Sequence, residues 1–230
     1  MWGRRSATLN AVEAAGAAQD TEQQPGALAP EALKRLEAWL LLPDRDRAEL
    51  LLGRIVYKAT PSLEHGDAVI GISEQLGRFR GPLDAGGGGW WLSQEVDLFL
   101  AGQGLRPDLV GWRMEKNPRA PQKVNIGSRH LGVYVTPPDW VCEVLSGSTR
   151  GRDEEDGAKW QAYFEAGVSH YWLVDLAREQ LLVYRRGARA YEPIEVAGRE
   201  TVKALPPFET VEFVAKRVFL LAGMMKPREG

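Results

Sequence analysis

Residues 139–175 have the sequence DWVCEVLSGSTRGRDEEDGAKWQAYFEAGVSHYWLVD, and their pattern of apolar residues gives the clearest indication of the fold. The apolar density of residues 139–145 predicts a buried strand. A helix is predicted through residues 159–166, and Gly167 stands where a glycine commonly follows the end of a helix. Residues 170–175 are apolar again and predict another strand. A strand, a helix and a strand in succession are typical of an α/β domain.

Hydrophobic periodicity on either side of this stretch predicts further elements. Apolar residues recur at helical spacing over residues 30–43 and 62–81, which predicts two amphipathic helices. The other predictions are a short strand or hairpin over 49–57, a hairpin of strands 90–100 and 106–112, a polar surface loop over 115–130 and a strand over 180–184. The elements together predict one α/β domain with a mixed β-sheet flanked by helices.

The composition of the 230-residue chain is that of a globular protein. Hydrophobic residues make up 44% and charged residues 26%, which disfavours disorder, collagen and coiled coil for the whole chain. The formal net charge of −2 argues against a protein that coats nucleic acid through a uniform positive field. A local basic groove is compatible with it, and the predicted loop and its flanks include the basic residues Arg113, Lys116, Arg119 and Lys123.

The cysteine content and the hydropathy favour a cytoplasmic protein. Cys142 is the single cysteine, so an intrachain disulfide and a cysteine-built metal site are excluded and a reducing compartment is expected. No window approaches the run of about 18 apolar residues that a membrane span needs. Residues 1–29 lack the apolar region of a signal peptide, and we expect them to be a disordered or weakly helical tail.

Two carboxylates, Asp108 and Glu143, occur on separate predicted strands in apolar surroundings. A buried carboxylate is costly unless it has a partner, a cation or a shifted pKa. Two such groups at one sheet edge would form an oxygen-only site suited to Mg²⁺ or Mn²⁺. The alternatives are a turn aspartate after proline for Asp108 and a structural ion pair for Glu143.

Lys159 is the third candidate, because it lies one turn ahead of Tyr163 on the predicted helix and shares its face. An ammonium group beside a phosphate can stabilise the charge that develops during phosphodiester cleavage. The alternative is a solvated lysine paired with Glu155, four residues earlier.

Three further residues are weaker candidates. Glu49 and Glu95 could add an acid to a metal site, although a structural or surface role is the simpler interpretation for each. His65, at the start of the second predicted helix, could cap the helix, pack or contact substrate. The three histidines have no metal-ligand spacing.

A set of short motifs runs through most of the chain. They are Glu49-Leu-x-x-Gly53, Pro61-Ser-x-x-His65, Arg106-Pro-Asp-Leu-Val, Glu143-Val-Leu-Ser, and the run from Asp153 through Lys159-x-x-x-Tyr163-x-x-x-Gly167-Val-x-x-Tyr171-Trp-Leu-Val-Asp175. In these motifs the chain resembles the bacterial Uma-two family of proposed restriction endonucleases, within the PD-(D/E)XK nuclease-like superfamily. The resemblance covers about residues 30–215, so we predict a nuclease-like domain there and a C-terminal extension over 216–230.

The resemblance implies a restriction-endonuclease-like, three-layer core and a metal-dependent nuclease site. Asp108 matches the first aspartate of the superfamily motif and Glu143 its second acidic residue. Leu145 stands where the lysine of that motif is expected, and Lys159 is the natural replacement. Tyr163 matches the tyrosine that follows on the helix in related nucleases.

We therefore predict an endonuclease that binds Mg²⁺ or Mn²⁺ through Asp108 and Glu143 and hydrolyses DNA phosphodiesters with the help of Lys159. The alternative is an inactive module that keeps the nuclease fold for DNA binding or protein interaction. Another phosphoester substrate is a third possibility. A homodimer is also plausible, through exposed aromatic residues and sheet edges near the carboxyl terminus.

Overall fold

The computed structural model of the protein describes residues 30–43, 47–126, 131–145 and 157–224. The tail predicted for residues 1–29 and the last part of the predicted C-terminal extension, residues 225–230, lie outside these ranges.

Four α-helices occur in the described residues: α1 (Pro30–Leu40), α2 (Leu63–Leu76), α3 (Ala158–Glu165) and α4 (Leu220–Met224). Helix α2 begins after Ser62, whose hydroxyl accepts a hydrogen bond from the His65 backbone N–H at 3.2 Å. Helix α3 is followed by Gly167, with a φ of +87° that a glycine adopts readily. Both helix ends agree with the sequence predictions.

The strands within the described residues form two six-stranded sheets and a small two-stranded one. The first sheet contains β1 (Ala48–Leu51), β2 (Arg54–Tyr57), β4 (Leu98–Leu100), β5 (Gln103–Leu105), β7 (Lys123–Ile126) and β8 (Leu131–Tyr134), in the order β2-β1-β5-β4-β8-β7. The second contains β3 (Trp90–Gln94), β6 (Leu109–Arg113), β9 (Trp140–Val144), β10 (His170–Asp175), β11 (Gln180–Arg186) and β12 (Tyr191–Gly198), in the order β12-β11-β10-β9-β6-β3. Strands β13 (Val202–Ala204) and β14 (Glu212–Val214) pair with each other.

The stretch 139–175 forms the predicted strand, helix and strand. Strands β9 and β10 are parallel neighbours and α3 lies between them in the chain. The other pairs in the second sheet are antiparallel, so the sheet is mixed, as predicted. Parallel neighbours need a crossover connection, and the helix provides one.

The hairpin predicted from strands 90–100 and 106–112 is only partly correct, because the antiparallel pairing holds for residues 90–94 but not for residues 98–100. The first segment is interrupted at Glu95, which has a φ of +50°, and its two halves belong to different sheets. Strand β3 pairs with β6, whereas β4 forms a tight hairpin with β5. A period-two pattern gives the side-chain alternation of each half but does not indicate that the backbone turns between them.

The surface loop predicted over residues 115–130 is only partly correct, because residues 123–126 form β7 and pair with β8. Strand β7 lies at the edge of the first sheet. An edge strand tolerates polar residues, which explains why this segment has the composition of a loop.

Three hydrophobic clusters divide the molecule into layers. Helix α1 packs on one face of the first sheet through Leu36, Trp39 and Leu40. A second cluster lies between the two sheets and includes Trp160 and Tyr163 of α3. A third cluster lies between the other face of the second sheet and a layer made of α2 and the C-terminal segment.

The second sheet is therefore flanked by helices on both faces, as the predicted fold class requires. Val218 and Phe219, within the predicted C-terminal extension, are buried in the third cluster. No helix within the described residues is long and apolar enough to cross a membrane.

Candidate active site

Side chains from both sheets and from α3 converge in the interior between the two sheets. Asp108 immediately precedes β6, and Glu143 lies on the neighbouring antiparallel strand β9. Glu49 reaches the same place from β1, and Lys159 from α3. All four residues are buried. We call Asp108, Glu143, Glu49, Lys159 and the neighbouring Lys58 the charged cluster.

Lys159 joins two of the carboxylates. Its Nζ lies 2.7 Å from Glu143 Oε1 and 3.1 Å from Glu49 Oε1. Its side chain is 1% exposed, so the alternative of a solvated helix lysine is wrong. Glu155, its expected partner in that alternative, lies outside the described residues. Glu49 belongs to the interior of the cluster, not to the surface.

Tyr163 completes the surroundings of Glu143, because its hydroxyl donates a hydrogen bond of 2.8 Å to Glu143 Oε1. Burial and the nearby charges of Glu143 and Glu49 raise the pKa of Tyr163 well above its usual value. Tyr163 therefore stays protonated at neutral pH and serves Glu143 as a donor.

Asp108 is held on both carboxylate oxygens. Oδ2 accepts a hydrogen bond of 2.7 Å from the Val144 backbone N–H, and Oδ1 lies 3.4 Å from both Lys58 Nζ and His65 Nε2. Burial raises the pKa of Asp108, but the hydrogen bond from His65 and the charges of Lys58, His65 and Lys159 lower it more. The net pKa is well below the usual range, so Asp108 is ionised at neutral pH.

Lys58 is the member of the charged cluster that the sequence analysis missed. Its Nζ donates a hydrogen bond of 3.1 Å to the Arg106 carbonyl and lies 3.6 Å from Glu95 Oε1. Burial and the Lys159 charge lower the pKa of Lys58, but the carboxylates of Asp108, Glu143 and Glu49 raise it more, so the net pKa is raised. Lys58 follows an exposed edge strand, and no motif in the sequence marks it.

The backbone at Arg106 connects the two sheets beside the cluster. The Arg106 N–H donates a hydrogen bond of 3.1 Å to Glu49 Oε1, while the carbonyl accepts the bond from Lys58. The Arg106 guanidinium lies 2.8 Å from Asp97 Oδ1. These contacts fix the segment that presents Asp108 two residues later.

The solvent-facing side of the cluster contains the other two weak candidates. His65 and Lys58 are mostly buried, whereas the Glu95 side chain is 45% exposed. Burial and the charge of Asp108 raise the pKa of Glu95, and the charges of Lys58, Arg106 and His65 oppose this. The structure thus brings Glu95 and His65 to the rim of the site.

Leu145 directly follows β9 and is buried in the hydrophobic cluster between the sheets. The position at which the resemblance led us to expect a lysine is therefore part of the hydrophobic core. The cations of this site come instead from α3 and from the segment after β2.

The basic residues 113–123 do not lie at this site. Asp108 precedes β6 and Arg113 ends it, and five residues of strand separate the two ends by about 17 Å. At that far end the Arg113 N–H and the Lys116 ammonium contact Asp139, and Lys123 lies 5.9 Å from the centre of the Tyr134 ring. Arg113, Lys116 and Lys123 therefore lie away from Asp108, because a strand carries the chain away from the site.

The candidate ligands of Asp108 and Glu143 are all carboxylate oxygens, which are the ligands that a hard divalent cation such as Mg²⁺ prefers. Among the residues that the structure describes, no three His, Cys, Asp or Glu side chains are arranged as a metal site. In this structure the carboxylates face the ammonium groups of Lys58 and Lys159.

Comparisons with known proteins identify the family. The sequence profile of the Uma2 (Uma-two) family, described as "Putative restriction endonuclease", matches residues 30–216. No curated protein matches the chain significantly.

A solved structure from Anabaena variabilis ATCC 29413, described as "a putative nuclease belonging to DUF820", is similar in fold. It superposes with a TM-score of 0.62 at 18% identity and covers 81% of this chain and 98% of its own. The profile match extends over most of the chain and contains every residue of the charged cluster. The chain therefore belongs to the Uma2 family of restriction-endonuclease-like proteins.

Proposed function

We propose that the protein is a Mg²⁺- or Mn²⁺-dependent endonuclease that hydrolyses phosphodiester bonds in DNA. The observation that carries this proposal is the charged cluster, in which three buried carboxylates and two lysines lie together between the sheets. Buried charges of this density are costly for stability, and such groups concentrate at functional sites. Membership of a family named for restriction endonucleases supports a nuclease function.

Asp108 and Glu143 are the residues that we propose would hold the metal ion. A divalent cation would supply positive charge for the phosphate oxygens and a more acidic bound water. The chain's own residues prepare the site for it: the Val144 N–H orients Asp108, and Tyr163 orients Glu143. Their hydrogen bonds keep one oxygen of each carboxylate in a fixed position.

A lysine of the charged cluster provides the positive charge that phosphodiester cleavage requires. Charge accumulates on the phosphate oxygens in the transition state, and a preorganised ammonium group stabilises it without further reorganisation. Water is the proposed nucleophile. Glu49 has a positioning role, because it holds Lys159 beside Glu143.

One observation favours the second candidate, an inactive module for DNA binding or protein interaction. Position 145 carries a buried leucine, and the carboxylates already contact ammonium groups. An ion pair that satisfies each carboxylate is also what a purely structural cluster would contain.

Calorimetric titration with Mn²⁺ separates the two candidates. The enzyme is expected to bind Mn²⁺, and Glu143→Gln is expected to abolish binding, whereas the module binds no metal although it is folded. Asp139→Asn is the matched control, because Asp139 is a buried carboxylate at the opposite end of the β6–β9 pair.

Cleavage of single-stranded, duplex and branched DNA, with RNA as the comparison, then defines the substrate. Cleavage of RNA alone would contradict the proposal of a DNA substrate.

A cytoplasmic location and a homodimer remain predictions from the sequence. Light scattering on the purified chain tests the oligomeric state, and a monomer would contradict the predicted homodimer.

A further inference from the structure

The two lysines of the charged cluster lie in different surroundings. Lys159 is enclosed, with 1% of its side chain exposed and Nζ within 2.7 Å of Glu143 and 3.1 Å of Glu49. If Lys159 turned towards a substrate, it would leave two buried carboxylates without their shared cation, which is costly. Its geometry is that of a structural counter-ion.

Lys58 lies nearer to the solvent, and its Nζ is held by a hydrogen bond of 3.1 Å to the Arg106 carbonyl and by two carboxylates. Its side chain is 13% exposed, and its two carboxylate contacts are longer, at 3.4 Å to Asp108 and 3.6 Å to Glu95. Both exceed the usual length of an ammonium–carboxylate hydrogen bond, about 2.8 Å. Because the Glu95 side chain is 45% exposed, the cluster opens to solvent on the side where Lys58 lies.

The backbone of Lys58 is fixed independently of its side chain. Its N–H donates a hydrogen bond of 2.7 Å to the Arg47 carbonyl, and the Arg47 guanidinium contacts the Lys58 carbonyl at 3.4 Å. A lysine with an anchored backbone can exchange its long carboxylate contacts for a contact with a phosphate by side-chain rotation alone.

We propose that Lys58, and not Lys159, is the catalytic lysine that contacts the phosphate cleaved by this protein. The inference rests on the proposed nuclease function and assigns a residue that the family motifs do not include. It also explains why Leu145 can replace the expected lysine, because Lys58, in the segment after β2, already provides a cation at the site.

The role of Lys58 is electrostatic. Hydrolysis adds one water to the phosphodiester: the water oxygen bonds to phosphorus and the bond from phosphorus to one ester oxygen breaks. One proton ends on that ester oxygen and the other on the new phosphate monoester. Lys58 donates a hydrogen bond to a non-bridging oxygen throughout and gives up no proton.

The test compares Lys58→Met, Lys58→Arg and Lys159→Met in single-turnover DNA cleavage, Mn²⁺ calorimetry and urea unfolding. We expect Lys58→Met to cleave at least about 100-fold more slowly than wild type. It should bind Mn²⁺ at least as tightly, because a positive charge beside Asp108 has been removed, and its unfolding midpoint should fall less than that of Lys159→Met. Lys58→Arg keeps the charge and should cleave within about tenfold of wild type.

Lys159→Met is expected to show the opposite pattern, with its main loss in stability. If Lys58→Met fails to fold, Lys58→Gln replaces it, because its amide can still donate to the Arg106 carbonyl.

Two results would overturn the role of Lys58 and leave the proposed function standing. One is a wild-type cleavage rate in folded Lys58→Met, and the other is loss of Mn²⁺ binding as well as of cleavage in that variant. Absence of cleavage by the wild-type protein overturns the proposed function, and the inference with it.

Discussion

Replacing Lys159 with methionine removes the cation between two buried carboxylates and preserves most of the side-chain volume. Glu143 Oε1 and Glu49 Oε1 contact the same Nζ, at 2.7 and 3.1 Å. The two oxygens therefore lie within about 6 Å of each other, and at an effective dielectric constant of about 20 two negative charges at that distance repel by about 3 kcal/mol.

The loss of attraction adds to this repulsion, and removal of one partner of a buried ion pair typically costs about 3–5 kcal/mol. We therefore expect Lys159→Met to lower the free energy of unfolding by about 3–5 kcal/mol. Replacing both glutamates with glutamine in the same chain should recover most of the loss, because the repulsion disappears.

Urea unfolding followed by tryptophan fluorescence measures this change, and the chain has eight tryptophans. Lys34→Met is the matched control, since Lys34 pairs with Glu31 at 3.2 Å and both side chains are more than 70% exposed. Its expected cost is below about 1 kcal/mol. A loss below about 1 kcal/mol in Lys159→Met, or no recovery in the triple variant, would show that Lys159 is not the counter-ion of the two glutamates.

Other substitutions test other parts of the structure. The pKa of Asp108 is lowered in the folded state, so its carboxylate stabilises the fold fully above about pH 4, the usual pKa of an unfolded aspartate, and less as the pH falls below that value. The difference in free energy of unfolding between wild type and Asp108→Asn should therefore shrink from pH 5 to pH 2 in urea titrations. A difference that stays constant would contradict this. Burial lowers the pKa of His170 to about 4, with the charges of Arg113 and Arg185 adding to this and those of Glu209 and Asp139 opposing it. The free energy of unfolding should therefore fall by up to about 3 kcal/mol from pH 6.5 to 4, as the unfolded state takes up the proton first. The fall should be smaller in His170→Gln. A Cβ on Gly104 would lie 2.7 Å from the Trp39 ring, so Gly104→Ala should lower the melting temperature by an amount equivalent to about 1–3 kcal/mol, whereas Gly66→Ala, in open space on α2, should not lower it.

The parts of the site that the sequence predicted lie within local patterns. Glu143 interrupts an apolar strand, and Lys159 shares a helix face with Tyr163, so each could be found from a few neighbouring residues. The structure places these side chains together with Asp108, as the resemblance implied.

Lys58 and the central place of Glu49 could not be predicted, because they depend on how the first sheet packs against the second. The pairing of β1 with β5 brings Glu49 to the backbone N–H of Arg106, 57 residues later in the chain. A strand pattern indicates which face a side chain occupies but not which sheet that face meets.

The separation of the basic loop from the site has a similar origin. Arg113 is five residues from Asp108 in sequence, and an extended strand converts this short interval into a long distance. The distance between Asp108 and Arg113 becomes clear only when the strand between them is assigned and each residue is placed at its end of that strand.

The most direct test of the proposed function is the nicking of covalently closed circular DNA, which has no ends for an exonuclease. We expect nicking by the wild-type protein in Mg²⁺ or Mn²⁺, none in a chelator, and a rate at least about 100-fold lower in folded Asp108→Asn, while Asp139→Asn stays active. Absence of metal-dependent nicking by the wild-type protein, or equal rates in wild type and Asp108→Asn, would contradict it.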